Sequence, residues 1–411
     1  MASQPEQLHV FDEAFSAIMA MAAGFLLPAE GCTLSDLSGR VLAEDITSND
    51  DSPLADNSAM DGYCFRHADI SKATIQNPVV LPIEGHVDAG HPLKKLSPRH
   101  AAYIATGGLI PKGADTVVKI EDIEFPDGEK CVSVRAAPPV GTYVRLKGKD
   151  MKAGETVLNH GDQIGPFEVG MIAAIGRMGA RARRKPRVAI LTSGDELVMP
   201  FDEPLPWQVR NANTFMLASM VKEIGGDPID LGIVRDSPEK AAQALNLASD
   251  LADIVITSGG VSMGRHDPFI AAFEALRVKT VVHGVAIKPG KPLFFGIVND
   301  KPLFGLPGNQ ASTAVTFQLF ARPFLARMQG NRQPDHPKIV LPIARASDNH
   351  SGRDNFLRGT ISTDTVSRAE AFPKQDSHLL SSLAGSRILI RHPADKPRLE
   401  AMAPVTCLLI R

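Results

Sequence analysis

The chain has 411 residues and carries 44 Lys or Arg against 46 Asp or Glu, so its formal net charge is -2 at pH 7. This length exceeds what one hydrophobic core usually organises and predicts several domains. The balanced charge argues against a nucleic-acid-binding protein, because binding a phosphate backbone needs a surplus of basic residues.

Cysteine spacing and hydropathy indicate the cellular compartment in which the protein is expected. The four cysteines are scattered and form no Cys-x-x-Cys pair, so zinc ligation and a disulfide framework are poorly supported and a reducing, cytoplasmic location is expected. The apolar stretch Phe15–Leu27 follows acidic rather than basic residues, which favours an amphipathic helix over a signal sequence. No later apolar run reaches the roughly 18 residues that a membrane span requires, so we expect no membrane association.

The chain changes character several times along its length. Asp12 is interpreted as the N-cap of a first amphipathic helix. Residues 47–145 are rich in glycine, proline and short β-branched runs, a pattern that predicts a β-rich insertion domain. Residues 177–187 are strongly basic and are interpreted as a solvated linker rather than an anion-binding patch. Short strands return over residues 333–411 and predict a small C-terminal β domain.

Residues 186–332 have the pattern of an α/β domain. Four apolar runs each lead into a glycine-bearing turn, and they are Val188-Ala-Ile-Leu-Thr-Ser-Gly-Asp-Glu196, Asp253-Ile-Val-Ile-Thr-Ser-Gly-Gly-Val-Ser-Met-Gly264, Val285-Ala-Ile-Lys-Pro-Gly-Lys-Pro292 and Leu303-Phe-Gly-Leu-Pro-Gly-Asn309. Apolar runs separated by helical segments predict buried, mostly parallel strands. Because ligands of open α/β sheets gather outside the carboxyl ends of the strands, the four turns predict one pocket.

Capping residues mark the helices of this domain. Gly225-Gly226 ends one helix, and Ser237-Pro238 begins the next as cap and first-turn proline. Further helices are predicted to start at Asp267-Pro268 and at Asn309. Pro323 is predicted to kink the last of them.

Three acids follow these strands, and their oxygens suit a hard cation. Glu196, Asp236 and Asp267 are therefore candidate metal ligands. Each has a structural alternative: Glu196 as the cap of a turn, Asp236 as a cap or as a partner of Arg235, and Asp267 as the N-cap before Pro268. We favour the metal role for Glu196 because a second acid ends the neighbouring strand. The two interpretations of Asp236 are balanced, and for Asp267 a cap and a ligand-facing role are compatible.

A glycine-rich loop follows the second strand. Ser258, Gly259 and Gly260 belong to it, and its backbone N–H groups are suited to binding phosphate. The loop matches neither the Walker pattern nor G-x-G-x-x-G, so as a motif it is weak.

The third and fourth turns predict an anion site. Two prolines and a glycine stiffen the loop that presents Lys288 and Lys291, and stiff presentation lowers the ordering cost of binding. We therefore favour anion binding over ordinary surface lysines. Pro307, Gly308 and Asn309 place a helix N-terminus beside them and join the predicted site.

Two further acidic or polar positions lie in the β-rich segment. Asp61 belongs to the run Asp56-Asn-Ser-Ala-Met-Asp-Gly-Tyr63, and Thr106 precedes two glycines. By spacing alone both are ordinary turn residues. No local signature predicts a Ser-His-Asp or Cys-His arrangement.

At these residues the chain resembles the MoeA family, the molybdopterin molybdenumtransferases, which are related to the C-terminal domain of gephyrin. The resemblance covers nearly the whole chain, and six motifs carry it in the family's order. They are Asp56-Asn-Ser-Ala-Met-Asp-Gly-Tyr63, Thr106-Gly107, Thr192-Ser-Gly-Asp-Glu-Leu197, Ser258-Gly-Gly-Val-Ser262, Ile287-Lys-Pro-Gly-Lys-Pro292 and Gly305-Leu-Pro-Gly-Asn309.

The resemblance implies a multidomain α/β plus β protein that forms an L-shaped homodimer. Its four domains would be an elongated N-terminal domain (1–46 with 146–185), a β-rich insertion domain (47–145), an α/β domain like the molybdopterin adenylyltransferases (186–332) and a β-barrel-like C-terminal domain (333–411). The implied reaction inserts molybdate into adenylated molybdopterin, with Mg²⁺-dependent hydrolysis of the adenylate and release of AMP. A molybdopterin adenylyltransferase and recipient molybdoenzymes are the implied protein partners.

The resemblance also assigns roles to individual residues. Carried over position by position, its functional residues are Asp61, Thr106, Asp150, Glu196, Asp236, Asp267, Lys288 and Lys291, with Arg358 and Ser377 at positions associated with molybdate. It places Asp61 and Thr106 of one subunit near the α/β pocket of the other. Asn211-Ala-Asn213 departs from the family by lacking a hydroxyl residue between its two asparagines.

Two other functions remain open from the sequence. One is an ATP-dependent molybdopterin adenylyltransferase, because that enzyme shares the α/β fold. The other is a non-catalytic scaffold, because gephyrin uses this fold to bind a receptor peptide. The Lys288-Pro-Gly-Lys-Pro292 loop and the β domains favour the molybdate-inserting enzyme over the first, and the retained acids and lysines favour it over the second.

Overall fold

The computed structural model describes residues 8–235, 237–261, 267–363 and 365–411. The chain forms two compact units. The large unit comprises Met1–Glu44, His160–Pro166 and Ala180–Arg411, and the small unit comprises Asp45–Asn159 and Phe167–Gly179. The finer division into four domains stays a prediction.

The small unit is built on a six-stranded sheet. Its strands are, in spatial order, Thr116–Lys119, Gly62–Phe65, Ala101–Ile104, Val79–Val87, Cys131–Val134 and Ile123–Glu124. All neighbours are antiparallel except Val79–Val87 with Ala101–Ile104. Tyr63 and Phe65 enter one apolar cluster and Cys64 another, because side chains alternate between the faces of a strand. The prediction of a β-rich segment is therefore confirmed.

Shorter elements complete the small unit. They are the strands Ile46–Thr47, Asn57–Ser58, Pro126–Glu129, Val144–Arg145 and Thr156–Leu158, the helix His67–Ile70, the 3₁₀ turn Ile120–Asp122 and the helix Pro166–Ala174, whose first residue belongs to the large unit.

The large unit contains a second six-stranded sheet. Its spatial order is Asp227–Val234, Arg187–Ser193, Ile254–Ser258, Lys301–Leu306, Phe294–Val298 and Lys279–His283. The first four strands are parallel, and the last two are antiparallel to their neighbours. The predicted α/β domain with a mostly parallel sheet is confirmed, and its edge is mixed.

Helices cover both faces of this sheet. Val188 and Ile190 pack into one core, while Ala189 and Leu191 pack into the other, so the strand Arg187–Ser193 is buried on both sides and needs no polar alternation. The helices are Phe11–Ala22, Asn213–Glu223, Pro238–Leu251, Pro268–Ala275, Gln310–Thr316 and Arg322–Met328, with a π-helix at Phe317–Ala321 and 3₁₀ turns at Ala23–Phe25 and Leu34–Asp36. Within the described part of the chain, none of the helices is long and apolar enough to cross a membrane.

Most of the predicted helix boundaries are confirmed. Ser237 Oγ accepts a hydrogen bond from the Lys240 N–H at 3.4 Å, and Pro238 begins the helix. The last helix is interrupted by the π-helix directly before Arg322 and Pro323, where the missing proline N–H disturbs the regular hydrogen bonding. The Asp12 prediction is wrong: Val10 is the N-cap, and the Asp12 carboxylate instead accepts hydrogen bonds from Arg391.

A third sheet is formed mainly by the C-terminal residues. Its strands are, in order, Ile287–Lys288, Asp354–Ser362, Ile388–His392, Pro404–Leu409 and Lys338–Pro342, and Arg368–Ala371 pairs with Asp354–Ser362. A bridge between Ile343 and Ala369 joins the last strand back towards Arg368–Ala371, so the sheet curls into a barrel-like form. Small two-stranded ladders pair Ala29–Thr33 with Gly179–Arg183, whose first residue belongs to the small unit, Leu197–Val198 with Val209–Arg210, and Ser347–Asp348 with Arg398–Leu399. One helical turn lies at Ser381–Ala384.

This third sheet corrects one prediction. The run Val285–Pro292 is not a strand of the α/β sheet, because Ile287 and Lys288 pair in parallel with Asp354 and Asn355. The lysine loop therefore connects two sheets. Its two-residue strand is too short for an apolar pattern to distinguish which sheet it joins.

Asp253 holds the basic stretch of the large unit against the start of a central strand. Its carboxylate accepts hydrogen bonds from Arg184 Nη1 (2.8 Å), Arg184 Nη2 (2.9 Å) and the Arg187 N–H (2.8 Å). Burial alone would raise the pKa of Asp253, but the hydrogen bonds from Arg184 and Arg187 outweigh it and lower the pKa to about 2. Part of the stretch interpreted as a solvated linker thus binds a buried carboxylate.

Asp253→Asn is expected to lower the free energy of unfolding by about 2 kcal/mol at pH 7, the value of a pKa shift of nearly two units. Because the folded-state pKa is depressed, this stabilisation is present above pH 3.8 and is lost as the pH falls towards 2. Urea unfolding at several pH values measures both effects. Asp250→Asn, an exposed change three residues earlier, is the control and should cost less than about 0.5 kcal/mol. Equal unfolding midpoints for the two variants at pH 7 would contradict this role of Asp253.

Candidate functional site

A pocket of about 800 Å³ opens at the carboxyl ends of the central parallel strands. Its walls come from the turns after three of these strands and from the starts of three helices. The lining residues are Thr192, Ser193, Gly194, Glu196, Leu197, Val209, Arg210, Asn211, Ala212, Asn213, Ser258, Gly259, Gly260, Val261, Asp267, Pro268, Pro292, Pro307, Gly308, Asn309, Gln310 and His378. The predicted gathering of turns into one pocket is therefore observed for the first, second and fourth runs, and the third run contributes only its last residue, Pro292.

Two glycines of the second turn are required by the geometry. Gly259 has a φ of +83°, and a Cβ there would lie 2.7 Å from the Ser193 carbonyl oxygen. Gly260 has a φ of +69°, and a Cβ would lie 2.5 Å from the Phe269 ring. Both positions combine a left-handed backbone with a close approach, which only glycine satisfies without strain. The glycines let the turn fold tightly over the end of the first strand.

Asn213 ties the second turn to the fourth. Its Nδ2 donates to Ser258 Oγ at 2.9 Å and to the Gly308 carbonyl oxygen at 2.7 Å. Ser258 Oγ also lies 3.3 Å from both the Pro307 carbonyl oxygen and Thr313 Oγ1. Asn213 Oδ1 is a buried acceptor with no hydrogen-bond partner among the described residues. The residue itself lines the pocket.

Two of the three predicted metal-binding acids line this pocket. Glu196 is exposed in the turn after the first strand, and Asp267 occupies the N-cap position of the helix Pro268–Ala275. Asp236 lies outside the described residues, as does Ser262 of the glycine-rich motif. Over residues 8–235, 237–261, 267–363 and 365–411, no three acidic, histidine or cysteine side chains form a group that could hold a metal. The donor set of Glu196 and Asp267 is thus two carboxylates, which suits part of the coordination of Mg²⁺.

The lysine loop lies beside the pocket rather than in its wall. Lys288 and Lys291 are both exposed, and Pro292 is the residue of this loop that lines the pocket. The backbone is held by hydrogen bonds from the Val285 N–H to the Lys291 carbonyl (2.9 Å) and from the Leu293 N–H to the Gly290 carbonyl (3.2 Å). In the described part of the chain, neither lysine side chain has an ion pair. The loop therefore presents two cations on a fixed backbone.

Ser377 reaches the same helix start from the C-terminal residues. Asn309 Nδ2 donates to Ser377 Oγ at 3.1 Å, and the Ala311 N–H donates to the Ser377 carbonyl at 3.1 Å. The next residue, His378, lines the pocket. The segment around Ser377 thus brings the C-terminal residues to the pocket edge.

Arg358 holds the segment around Ser377 through hydrogen bonds and does not line the pocket. It is fully buried, and its Nη2 donates to the Asp376 carbonyl at 3.1 Å while its Nε donates to Ser382 Oγ at 3.2 Å. Burial lowers the pKa of Arg358 to about 10, so the side chain is still cationic at neutral pH. Its Nη1 has no hydrogen-bond partner among the described residues.

Three predicted residues belong to the small unit. The Thr106 N–H donates to Asp61 Oδ1 at 2.6 Å, which joins residues 45 positions apart and was not predicted from spacing. Hydrogen bonds from the backbone and side chain of Thr106 lower the pKa of Asp61. Asp150 is exposed, and Ser52 Oγ lies 3.5 Å from its Oδ2. Asp61 and Thr106 form one local group, and Asp150 belongs to another turn.

The sequence interpretation missed several pocket residues. Asn213 was predicted to lie near a helix start, which the helix Asn213–Glu223 confirms, but it was not predicted as a pocket residue. Thr192 and Ser193 end an apolar run, so they were interpreted as part of the strand and not as pocket residues. Arg210 and His378 had no pattern that distinguishes them from surface residues.

Asn213→Ala is expected to lower the free energy of unfolding by about 1–3 kcal/mol, because the buried Gly308 carbonyl and Ser258 hydroxyl lose their donor. Asn213→Asp keeps the size but sets an acceptor against the Gly308 carbonyl, so it should destabilise more than alanine. Urea unfolding of the two variants measures the difference. Wild-type stability in both variants would show that the hydrogen bonds between the turns do not stabilise the fold.

Three family regions match the chain in order. They are the MoeA N-terminal region (domain I and II) over residues 9–176, the probable molybdopterin binding domain over 189–327 and the MoeA C-terminal region (domain IV) over 340–410. The molybdopterin molybdenumtransferase of Haemophilus influenzae is 32% identical over 386 residues, which cover 93% of this chain and 94% of that protein. That of a Nostoc species is 36% identical over 331 residues, which cover 79% and 75%.

A solved structure supports the same assignment. The molybdopterin biosynthesis MoeA protein of Pyrococcus horikoshii matches with a TM-score of 0.82 and 28% identity, covering 98% of this chain and 100% of that one. Sequence and fold agree over nearly the full length, and the resemblance inferred from the motifs is confirmed. The chain belongs to the MoeA family, the transferases named molybdopterin molybdenumtransferases.

Proposed function

We propose that this chain inserts molybdate into adenylated molybdopterin, with Mg²⁺-dependent hydrolysis of the adenylate and release of AMP. The observation that carries the proposal is the convergence of Glu196, Asp267, the Gly259-Gly260 turn and Asn309 on one pocket of about 800 Å³. Such a volume suits a ligand of nucleotide size. The relatives named above carry this transferase name, and the proposal applies it to this chain.

The glycine turn and Asn213 would bind the substrate. A tight glycine turn lets a phosphate approach the backbone closely, and Gly259 and Gly260 leave no side chain in the way. Asn213 Oδ1 offers an acceptor to an N–H or O–H donor of the pterin or ribose. Together these groups would orient the pyrophosphate that is to be cleaved.

Glu196 and Asp267 would hold Mg²⁺, with Asp236 as a further ligand. When bound, the metal would neutralise charge that develops on the phosphate oxygens during hydrolysis. The two carboxylates belong to different elements, a strand-to-strand turn and a helix start, so they would hold the ion between the first and second turns. A metal bound there would add positive charge near the glycines that are proposed to bind phosphate.

Lys288 and Lys291 would attract and orient molybdate, a tetrahedral dianion. Their exposed ammonium groups are unpaired within the described residues, so no ion pair has to be broken when an anion binds. Ser377 would complete the molybdate site at the edge of the pocket, and the buried Arg358 would act on that site by holding the segment before Ser377 through the Asp376 carbonyl. The hydrogen bond between Asn309 and Ser377 (3.1 Å) connects this edge to the phosphate-binding wall.

We further propose a cytoplasmic homodimer whose site is shared between subunits, with Asp61 and Thr106 of one subunit serving the pocket of the other and Asp150 as a further functional residue. The four cysteines are free thiols, which agrees with a reducing compartment. Adenylated molybdopterin would be received from an adenylyltransferase, and recipient molybdoenzymes would take the product.

An assay of AMP release from adenylated molybdopterin, with and without molybdate, tests the reaction. Molybdate-dependent release of AMP with formation of molybdenum cofactor is expected. Formation of adenylated pterin from ATP and molybdopterin, without molybdate dependence, would identify an adenylyltransferase instead. Absence of both reactions in folded protein would favour the scaffold.

Lys291→Ala is expected to weaken the use of molybdate by about 1.5–3 kcal/mol, the range for a hydrogen bond to a charged group. The concentration of molybdate at half-maximal rate should rise roughly tenfold or more, while the affinity for adenylated molybdopterin changes little. Lys279→Ala, on an exposed edge-strand lysine of the same unit, is the matched control. An unchanged molybdate dependence in Lys291→Ala would refute the role.

A mixing experiment tests the shared site. In a two-fold dimer whose pocket spans subunits, Asp61→Ala and Lys291→Ala chains damage different sites when paired, so each mixed dimer keeps one intact site. Random exchange makes about half the dimers mixed, and roughly a quarter of wild-type activity should return. Exchange must be shown independently, for example with differently tagged chains. Activity that stays at the level of the parent variants after exchange would exclude the shared site.

A further inference from the structure

A second cavity of about 380 Å³ lies in the large unit and shares no lining residue with the pocket described above. It is enclosed by the end of the helix Asn213–Glu223, the π-helix Phe317–Ala321 and the last strand of the C-terminal sheet. The lining residues are Gln163, Met220, Glu223, Ile224, Phe317, Gln318, Arg322, His336, Pro337, Leu409, Ile410 and Arg411. Nothing in the proposed reaction uses this cavity.

The π-helix shapes the inner wall. Gln318 lies in it, with Oε1 2.9 Å from His336 Nε2 and Nε2 3.6 Å from Met220 Sδ. These contacts hold the amide in place across the cavity wall. Single-turn π-helices within α-helices occur frequently at functional sites. Here the π-helix leads directly into Arg322.

Arg322 follows the π-helix and is the partly buried cation of the cavity. Its Nη1 donates to the Pro334 carbonyl at 3.3 Å. Within the described residues, this is its one hydrogen bond, and no carboxylate lies within ion-pair distance. Burial lowers the pKa of Arg322, although Glu223 and Asp335 oppose the effect. A guanidinium with free donors in a partly desolvated cavity is stabilised by an anion, and its planar fork matches a carboxylate.

The remaining walls define the rest of the ligand. Met220, Ile224, Phe317 and Leu409 are apolar, and Glu223 and Arg411 are exposed at the mouth. His336 adds no charge at neutral pH, because burial and Arg322 lower its pKa to about 4. Arg322 is therefore the cation of the interior, beside apolar walls, and Glu223 and Asp335 act on it only from beyond ion-pair distance.

We propose that this cavity binds a small amphipathic monoanion, with its carboxylate on Arg322 and its apolar body against Met220, Ile224 and Phe317. The cavity lies in the volume range of small-molecule sites, which are mostly apolar with a few fixed polar groups. It is connected to the reaction pocket by one continuous run of helix. That run begins with Gln310, which lines the pocket, and reaches Phe317 and Gln318, which line the cavity.

The test uses 3-phenylpropanoate and its neutral isostere 3-phenylpropanamide as probes, titrated into the full chain by isothermal calorimetry. The acid is expected to bind saturably with one site per chain and at least tenfold more tightly than the amide. Arg322→Gln should remove this difference by weakening the acid at least tenfold while leaving the amide unchanged. Equal binding of acid and amide to the wild type, or no binding of the acid, would overturn the proposal.

Matched variants locate the bound acid. Arg327→Gln, an exposed arginine on the same helix, should leave the affinity for the acid unchanged. Lys291→Ala should also leave it unchanged, whereas a loss there would place the acid at the proposed molybdate site and refute the cavity. Glu223→Gln removes a carboxylate at the exposed mouth without risk to folding, and it should tighten the acid two- to threefold. An unchanged affinity in both Arg322→Gln and Glu223→Gln would exclude this cavity as the site.

Discussion

The pocket at the carboxyl ends of the parallel strands depends on the close approach of two glycine-bearing turns. The Gly259 N–H donates to the Leu306 carbonyl at 3.0 Å, and a Cβ on Gly308 would lie only 3.3 Å from the Gly259 Cα. The parallel neighbours Ile254–Ser258 and Lys301–Leu306 end at the same level, so their turns must either collide or interlock. Glycine at both positions lets them interlock, and Asn213 then fixes the pair through its bonds to Ser258 and Gly308.

The lysine loop shows how two sheets share one site. Ile287 and Lys288 pair with the C-terminal sheet, while Leu293 and Phe295 enter the core of the α/β sheet. The loop between them is thus held at both ends. Within the described residues, the ammonium groups of Lys288 and Lys291 form no ion pair. The position of Lys288 therefore depends on the C-terminal strand Asp354–Ser362 as well as on the α/β sheet.

Three arginines of the large unit lie partly or fully out of water: Arg358 is buried, and Arg184 and Arg322 are half-buried. Arg184 is balanced by Asp253, which is held ionised by its hydrogen bonds. Among the described residues, the Arg358 side chain donates only to neutral oxygens, and the Arg322 side chain donates to a single carbonyl. Taking a cation out of water is costly unless an anion or several hydrogen bonds replace the water. Guanidinium groups that are not balanced by a carboxylate are thus places where an anionic ligand contributes most.

The sequence by itself determined the fold class, the glycine turns and most helix boundaries, because these follow from local rules. Continuous apolar runs predict strands buried on both faces. A Ser-Pro pair such as Ser237-Pro238 predicts a helix start, and a Gly-Gly pair such as Gly225-Gly226 predicts a helix end. The six sequence motifs were also sufficient to identify the family. Tertiary structure alone decided which sheet the segment Ile287–Lys288 joins, that Thr106 binds Asp61, and that Asn213 ties two turns together. Those outcomes depend on pairings between residues tens of positions apart, whose free energies come from packing and hydrogen bonds that no local pattern records.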